Sequence, residues 1–178
     1  MKKLGLSLLS IMIALSITGC GSNSPTIPKI KATEKFQFSN AKLNLSQLVK
    51  TEIIYHTQRE LEDILNAKLS KLLDNDGLLS DNNNMNKLIV NANYERRFVG
   101  DATPIPTDSL AYPNYSYSIK IMNNKKLLGT INKDKLTFRG GFVMNLEIIA
   151  GTLRDKKYEL EFIDALANTI FKDIKNLN

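Results

Sequence analysis

The chain has 178 residues, a formal net charge of +6, one cysteine and one histidine. So few thiols and imidazoles exclude a disulfide framework and the zinc or iron sites that several Cys or His ligands build. The lysines and arginines are spread along the chain, so the positive charge indicates no nucleic-acid partner. Once an N-terminal targeting segment is set aside, the length fits one domain.

The N-terminus has the layout of a secretion signal. Met1-Lys2-Lys3 is a positive start, and the apolar run that follows is too short to cross a membrane as a helix. The run ends in Ile17-Thr18-Gly19-Cys20, which resembles the lipobox of bacterial lipoproteins. The resemblance implies that residues 1–19 are a signal peptide and that Cys20 receives a diacylglyceryl group and a further acyl chain such as palmitate. The alternative is an ordinary signal peptide and a free Cys20 thiol.

The residues after the cysteine predict a tether to a membrane. Residues 20–33 are rich in Ser, Pro, Thr and Lys and have no apolar period, which is typical of a flexible linker. Two or three acyl chains on Cys20 would hold the protein stably on lipid. Gly21 replaces the Asp that favours the inner membrane, so the resemblance implies the outer membrane, facing the periplasm. In a source with a single membrane, the same anchor implies the outer face of the cytoplasmic membrane.

Residues 34–178 predict a single α+β domain, an antiparallel β-meander packed by an N-terminal and a C-terminal amphipathic helix. One or two short strands are expected between Lys35 and Tyr55. The first helix should begin at Thr57, which forms a capping box with Glu60. A stripe of leucines follows, and Gly77 should end the helix in a left-handed conformation.

The middle of the chain alternates as strands do. Leu88, Val90, Ala92 and Tyr94 share one face of a predicted strand, and residues 115–121 predict another. Residues 127–131 predict a returning strand, residues 132–135 a turn, and residues 136–138 a strand that resumes after Gly140-Gly141 as residues 142–148. From about Asp155 to Leu177 the apolar period changes to 3.6, which predicts the C-terminal helix.

A loop with three prolines, Gly100 to Pro113, is the candidate working surface. Arginine and tyrosine anchor many protein interfaces, and they flank this loop. The candidate partner-binding residues are Arg96, Arg97, Tyr112, Tyr115 and Tyr117. The alternative is that the tyrosines pack at the sheet edge and the arginines lie on its exposed face.

The residue types predict no enzyme, with no catalytic residue, metal or cofactor. His56 could serve a Ser–His–Asp triad, but no Gly-x-Ser-x-Gly elbow presents a serine, and a lone histidine beside a helix start is usually a surface or capping residue. In element order the domain is similar to small envelope lipoproteins that assist outer-membrane assembly or serve lipid transporters. The sequence therefore predicts an accessory lipoprotein that docks on an envelope protein. The alternative is a carrier for a lipid or small apolar ligand.

Overall fold

The structure, a computed structural model, describes residues 35–177. The predicted signal peptide, the lipobox with Cys20 and the predicted tether therefore lie outside the described residues. The elements of the described part are, in chain order, β1 (Phe36–Gln47), α1 (Gln58–Asn75), β2 (Asn86–Arg96), β3 (Asn114–Asn123), β4 (Lys126–Thr137), α2 (Phe142–Ala150) and α3 (Lys157–Lys175).

The four strands form one sheet in the order β1-β2-β3-β4. Strands β2, β3 and β4 pair antiparallel, which confirms the predicted meander, and β1 joins β2 in parallel. Two parallel neighbours need a crossover connection, and α1 provides it. The ends of β1, β2 and β4 and the start of β3 lie at one end of the sheet, and residue Phe36 lies at the opposite end.

The main core lies between the sheet and helices α1 and α3. Alternate residues of β2 and β3 face the helices, and each helix turns one apolar stripe toward them. Its fully buried large side chains include Phe36, Leu43, Leu61, Leu65, Leu69, Leu73, Leu88, Ile119 and Phe162. The α+β class predicted from the sequence is confirmed.

The ends of α1 follow the local signals in the sequence. Thr57 and Glu60 form the reciprocal capping box. At the other end Gly77 has a φ of 70°, and the Leu78 N–H donates to the Leu73 carbonyl at 2.8 Å. This is the hydrogen-bond pattern of a Schellman cap, which requires the left-handed residue that glycine supplies without strain.

Helix α1 also covers the outer edge of β1. Three backbone N–H groups of the strand donate to side-chain oxygens spaced four residues apart on the helix: Ala41 to Asn66, Leu43 to Glu62 and Leu45 to Gln58, at 2.6, 2.8 and 3.1 Å. Two strand residues advance about 6.6 Å and four helical residues about 6 Å, so the two periods stay in step. The edge strand is thereby satisfied without another strand beside it.

One predicted strand and one predicted turn are wrong. Residues 142–148, whose apolar residues alternate, form helix α2 instead of a strand. The predicted turn at residues 132–135 lies inside β4, which continues through it to Thr137. A register shift beside Tyr115 and Tyr117 and a φ of 56° at Lys135 mark a bulge at this point, where the extra residue bends the strand without ending it.

A second, smaller core closes the end of the sheet where β1 and β2 finish. Helix α2 contributes Met144 and Ile148, the segment before α1 contributes Tyr55, and the first turn of α3 contributes Tyr158. Its buried members are Tyr55, Phe98, Leu110, Met144, Ile148, Leu153 and Tyr158. This second core fixes the proline-rich loop and α2 to the body of the domain.

Candidate functional site

Arg96 does not lie at the surface. Its side chain is 6% exposed and forms an ion pair with Glu159 of α3, with 2.7 Å between Nη2 and Oε1. It also donates to the Gln47 side chain and to the His56 carbonyl, at 2.8 and 2.6 Å. The guanidinium therefore links β1, β2, α3 and the segment before α1. Its hydrogen bonds are made inside the domain.

The Glu159 carboxylate is the centre of this buried network. Tyr94 donates its hydroxyl to Oε1 at 3.0 Å, and the His56 backbone N–H donates to Oε2 at 3.0 Å. The His56 ring nitrogen Nδ1 lies 3.1 Å from the same Oε2. Burial and the Glu159 charge raise the pKa of the Tyr94 hydroxyl well above its usual value. Both oxygens of the Glu159 carboxylate have hydrogen-bond partners, and Arg96 balances its charge, so the network stabilises the fold.

Sequence reasoning missed Glu159 and the burial of Arg96, although the sequence carries a signal for the second. Leu88, Val90, Ala92 and Tyr94 occupy the buried face of β2, and the same period of two places Arg96 next on that face. Tyr55 adds the aromatic wall, with its ring 5.5 Å from the Arg96 guanidinium. Burial raises the pKa of Tyr55 to about 12, and its hydroxyl donates to the Asp108 carbonyl.

The other predicted site residues lie in separate places. Tyr117 is buried and donates its hydroxyl to Asp173 of α3 at 2.8 Å, and Tyr115 packs edge-on against Phe162. Tyr112 is half-buried under the Arg139 guanidinium, 5.7 Å from its ring. Two of the three tyrosines thus pack under α3, and Tyr112 is the one at the proline-rich loop.

Arg97 comes just before the proline-rich loop, Gly100 to Pro113, and fixes its start. Its guanidinium binds both carboxylate oxygens of Asp101, and this bidentate hydrogen bonding holds the pKa of Asp101 below its usual value. Backbone bonds from Val99 to Ser109 and from Ala111 to Arg97 close the base of the loop at 2.8 and 2.9 Å. The loop is therefore a fixed projection.

The tip of this loop carries an exposed apolar side chain. Ile105 is 82% exposed and lies between Pro104 and Pro106. The Gly100 carbonyl below it accepts bonds from the Thr103 backbone and hydroxyl, at 2.8 and 2.7 Å. Two prolines and the hydrogen bonds at the base of the loop fix the position of Ile105 at the surface. Its side chain can therefore contact a partner with little loss of conformational entropy.

Most large hydrophobic side chains that are exposed lie near the second core. Apart from Leu127, they belong to the segments that build that core: Leu48, Ile54, Ile105, Phe142, Val143, Leu146 and Ile149. Exposed apolar residues gathered at one end of a domain are typical of interaction sites. This end of the domain, rather than the sheet face, is the candidate docking region.

The open face of the sheet is polar. Asn44, Asn93 and Ser116 form a cross-strand chain of hydrogen bonds at 3.1 and 3.0 Å. Beside them is a shallow groove of about 300 Å³ lined by Glu95, Asn114 and Lys135. Between the sheet and α3, a gap beside Tyr94 and Phe162 has a volume of about 10 Å³.

Within residues 35–177 no group of three or more His, Cys, Asp or Glu side chains is placed to hold a metal ion. In the same part of the chain, no helix combines the length and the apolar character needed to cross a bilayer.

Comparison with known proteins assigns no family: no family model and no curated protein matches the chain. Among solved structures, a minor lipoprotein from Acinetobacter baumannii is similar at 18% identity and a TM-score of 0.32, over 76% of this chain and 91% of that one. A DUF330 protein from Xanthomonas campestris is 12% identical, with a TM-score of 0.31 over 85% and 92% of the two chains. The rare lipoprotein B from Shewanella oneidensis is 15% identical, with a TM-score of 0.28 over 78% and 98%.

Proposed function

We propose that this chain is a lipid-anchored envelope lipoprotein with a non-enzymatic accessory role, and that its proline-rich loop docks on an envelope protein in the periplasm. The anchor is Cys20, at the end of the lipobox-like Ile17-Thr18-Gly19-Cys20. Acylation there would hold the chain on the outer membrane, or on the outer face of the cytoplasmic membrane if the source has one membrane.

The observation that carries the docking role is the rigid, exposed tip of the proline-rich loop. Arg97 and Asp101 fix its start and the backbone bonds fix its base, so little conformational freedom remains to be lost on binding. Ile105 supplies an apolar contact at the tip. Tyr112, half-buried near the end of the loop, supplies an aromatic surface with a polar end.

The chemistry of the titratable groups supports a role without catalysis. The His56 ring faces Glu159, whose two carboxylate oxygens are already engaged by Arg96, Tyr94 and the His56 backbone. A general base needs a proton-accepting atom within reach of a substrate. Here the carboxylate is 1% exposed and turned into the core.

The alternative role, a carrier of a lipid or small apolar ligand, requires a cavity between the sheet and the helices. Ligand cavities typically occupy about 300–1,000 Å³ and are mainly apolar. The gap beside Tyr94 and Phe162 measures about 10 Å³, and a cleft between β4 and the end of α3, lined by Ile131 and Asp173, measures about 240 Å³. The groove of about 300 Å³ lies on the polar face of the sheet. The packing therefore favours docking over carriage.

Two measurements on the full chain in its own cells test the proposal. A photo-reactive amino acid at Ala102, an exposed residue of the loop, should form an adduct with one defined envelope protein, and Ile105→Ser should abolish it. The same probe at Lys120, exposed on the open sheet face, is the control. Adducts that are equal at both positions, or unchanged by Ile105→Ser, would rule out docking through the loop.

The anchor is tested separately with a fatty-acid analogue. The natural chain should take up the label, and Cys20→Ser should not, because serine cannot form the thioether. Undiminished label on the Cys20→Ser chain would overturn the lipoprotein part of the proposal.

A further inference from the structure

Every exposed residue of helix α2 is apolar. Phe142, Val143 and Ile149 are 75%, 64% and 79% exposed, and Leu146 is 49% exposed between them. On a helix these positions lie on one side. The opposite side carries Met144 and Ile148, which are buried in the second core. The helix is thus apolar on two opposite sides, although only one of them is covered by the domain.

The exposed side is held firmly in place. Gly151 ends α2 with a φ of 67°, and the next backbone N–H, that of Thr152, donates to the Glu147 carbonyl at 2.9 Å. Burial of Met144 and Ile148 fixes the rotation of the helix about its axis. The four side chains therefore face solvent because of the fold, with no buried alternative.

The charges around α2 match an anionic surface. Residues 139–157 contain four basic side chains, at Arg139, Arg154, Lys156 and Lys157, and two acidic ones. All four basic residues are exposed. One acid, Asp155, pairs with Lys157 at 3.3 Å. The other, Glu147, hydrogen-bonds the Tyr158 hydroxyl and raises its pKa to about 12, so this carboxylate is turned toward the domain.

An exposed apolar surface flanked by basic residues can bind a membrane interface, because membrane binding grows with buried apolar area and with attraction to anionic lipids. The apolar side chains enter the boundary between headgroups and acyl chains, and the basic ones meet anionic phosphates. Glu147, the acid within the helix, would not be carried into the lipid because it faces Tyr158.

The chain outside the structure is long enough for α2 to reach the membrane that holds Cys20. Helix α2 follows β4 at the end of the sheet opposite Phe36, about 36–40 Å away along the strands. Between Cys20 and Phe36 the chain can extend at most about 53–58 Å. The first attachment also raises the local concentration of α2 at that membrane, which favours a second, weaker contact.

We infer that the outer side of α2 (Phe142, Val143, Leu146 and Ile149) rests on the anionic surface of the same bilayer, giving the domain a second membrane contact. This inference shares the Cys20 anchor with the proposed function and is independent of the loop's protein partner. Its consequence is orientation: the domain lies with the second core toward the membrane instead of hanging from its tether.

Tryptophan fluorescence of the full, lipidated chain in vesicles tests this contact, because the natural chain has no tryptophan. Phe142→Trp reports on α2. Leu127→Trp is the matched control, since Leu127 is an exposed apolar residue at the Phe36 end of the sheet, where the tether joins. The vesicles contain phosphatidylethanolamine and phosphatidylglycerol, with brominated acyl chains as quenchers. Both substitutions are at exposed sites, and circular dichroism checks that the fold is retained.

The expected result is quenching several-fold stronger for the tryptophan at 142 than for that at 127, with a blue-shifted emission. Replacing phosphatidylglycerol by phosphatidylcholine, or combining Arg154→Gln with Lys156→Gln, should weaken the quenching at 142. Equal quenching at the two positions, or stronger quenching at 127, would overturn the inference. A blue shift at 142 that depends on protein concentration and not on bromolipid would instead indicate a second copy of the chain as the occupant.

A protein occupant is the remaining outcome and also overturns the inference. It would appear as an adduct from a photo-reactive residue at Val143 in cells, together with an unquenched tryptophan at 142 in vesicles. Fatty-acid labelling of the Phe142→Trp chain shows that its anchor is intact, so failure of the α2 contact can be told apart from failure of the Cys20 anchor or of the loop adduct.

Discussion

Glu159→Gln should destabilise the domain strongly, because it removes the charge that neutralises the buried Arg96. The carboxylate accepts from Tyr94 and Arg96 at Oε1 and faces the backbone N–H and Nδ1 of His56 at Oε2. In the amide, one of these two oxygens becomes an NH₂ group, which cannot accept a hydrogen bond. Half of the network is then lost while the shape of the side chain is retained.

The magnitude follows from burial. Arg96 and Glu159 have side chains that are 6% and 1% exposed, so water cannot replace the lost partner. Removing one member of a buried ion pair typically costs about 3–5 kcal/mol. For a domain of this size each kcal/mol lowers the melting temperature by about 2–4 °C, so we expect a decrease on the order of 10 °C.

Urea unfolding followed by circular dichroism measures the effect on the chain without its signal peptide. Glu161→Gln is the matched control, the same substitution two residues later on the exposed side of α3, and should change the unfolding free energy by less than about 0.5 kcal/mol. Adding Arg96→Met to Glu159→Gln should restore part of the loss, since the unpaired buried charge is then gone. Equal effects of Glu159→Gln and Glu161→Gln would refute the structural role of the network.

Three further predictions concern stability. Gly77→Ala should cost about 1 kcal/mol in urea unfolding because its φ is 70°, whereas Gly141→Ala, at the N-cap of α2 with φ at −67° and nothing near the added carbon, should cost less. Between pH 10 and about 12 stability should fall, since the unfolded chain releases the Tyr55 proton near pH 10.0 and the folded one near 12; Tyr55→Phe should flatten this fall. Residues 34–178 without the anchor should fold, and a disordered circular dichroism spectrum would contradict this.

Local signals in the sequence predicted the local structure well. The capping box at Thr57 and the glycine cap at Gly77 depend on neighbours within six residues, so the sequence displays them completely. The alternation in β2 is equally direct, because one face of that strand is buried and the other is not. Each of these features is decided by interactions that a short window contains.

Helix α2 was mispredicted because its pattern fits two periods. Phe142, Met144, Leu146 and Ile148 alternate as in a strand, yet Met144 and Ile148 are also four apart, as on one side of a helix. The other two members of the alternating pattern, Phe142 and Leu146, lie on the exposed side of α2. Distant segments of the chain form the second core, and only contact with that core decides between a strand and a helix here.

The candidate site depended even more on distant contacts. Arg96 meets Glu159 across 63 residues, and Tyr117 meets Asp173 across 56. No motif links these positions in the sequence. The parallel pairing of β1 and β2 could have been predicted from the strand-helix-strand order, because α1 is long enough to carry the chain back along the sheet.

The cover that α1 gives to β1 limits how copies of this protein can associate. Asn66, Glu62 and Gln58 occupy the N–H groups that another strand would need on that side. In the described part of the chain β4 is the opposite border of the sheet, and lysines at 126, 133 and 135 discourage pairing there. Two copies could pair through their β4 strands. The two outer borders of the joined sheet would then be the β1 edges, which α1 covers. Such pairing ends at a dimer and cannot propagate into a fibre.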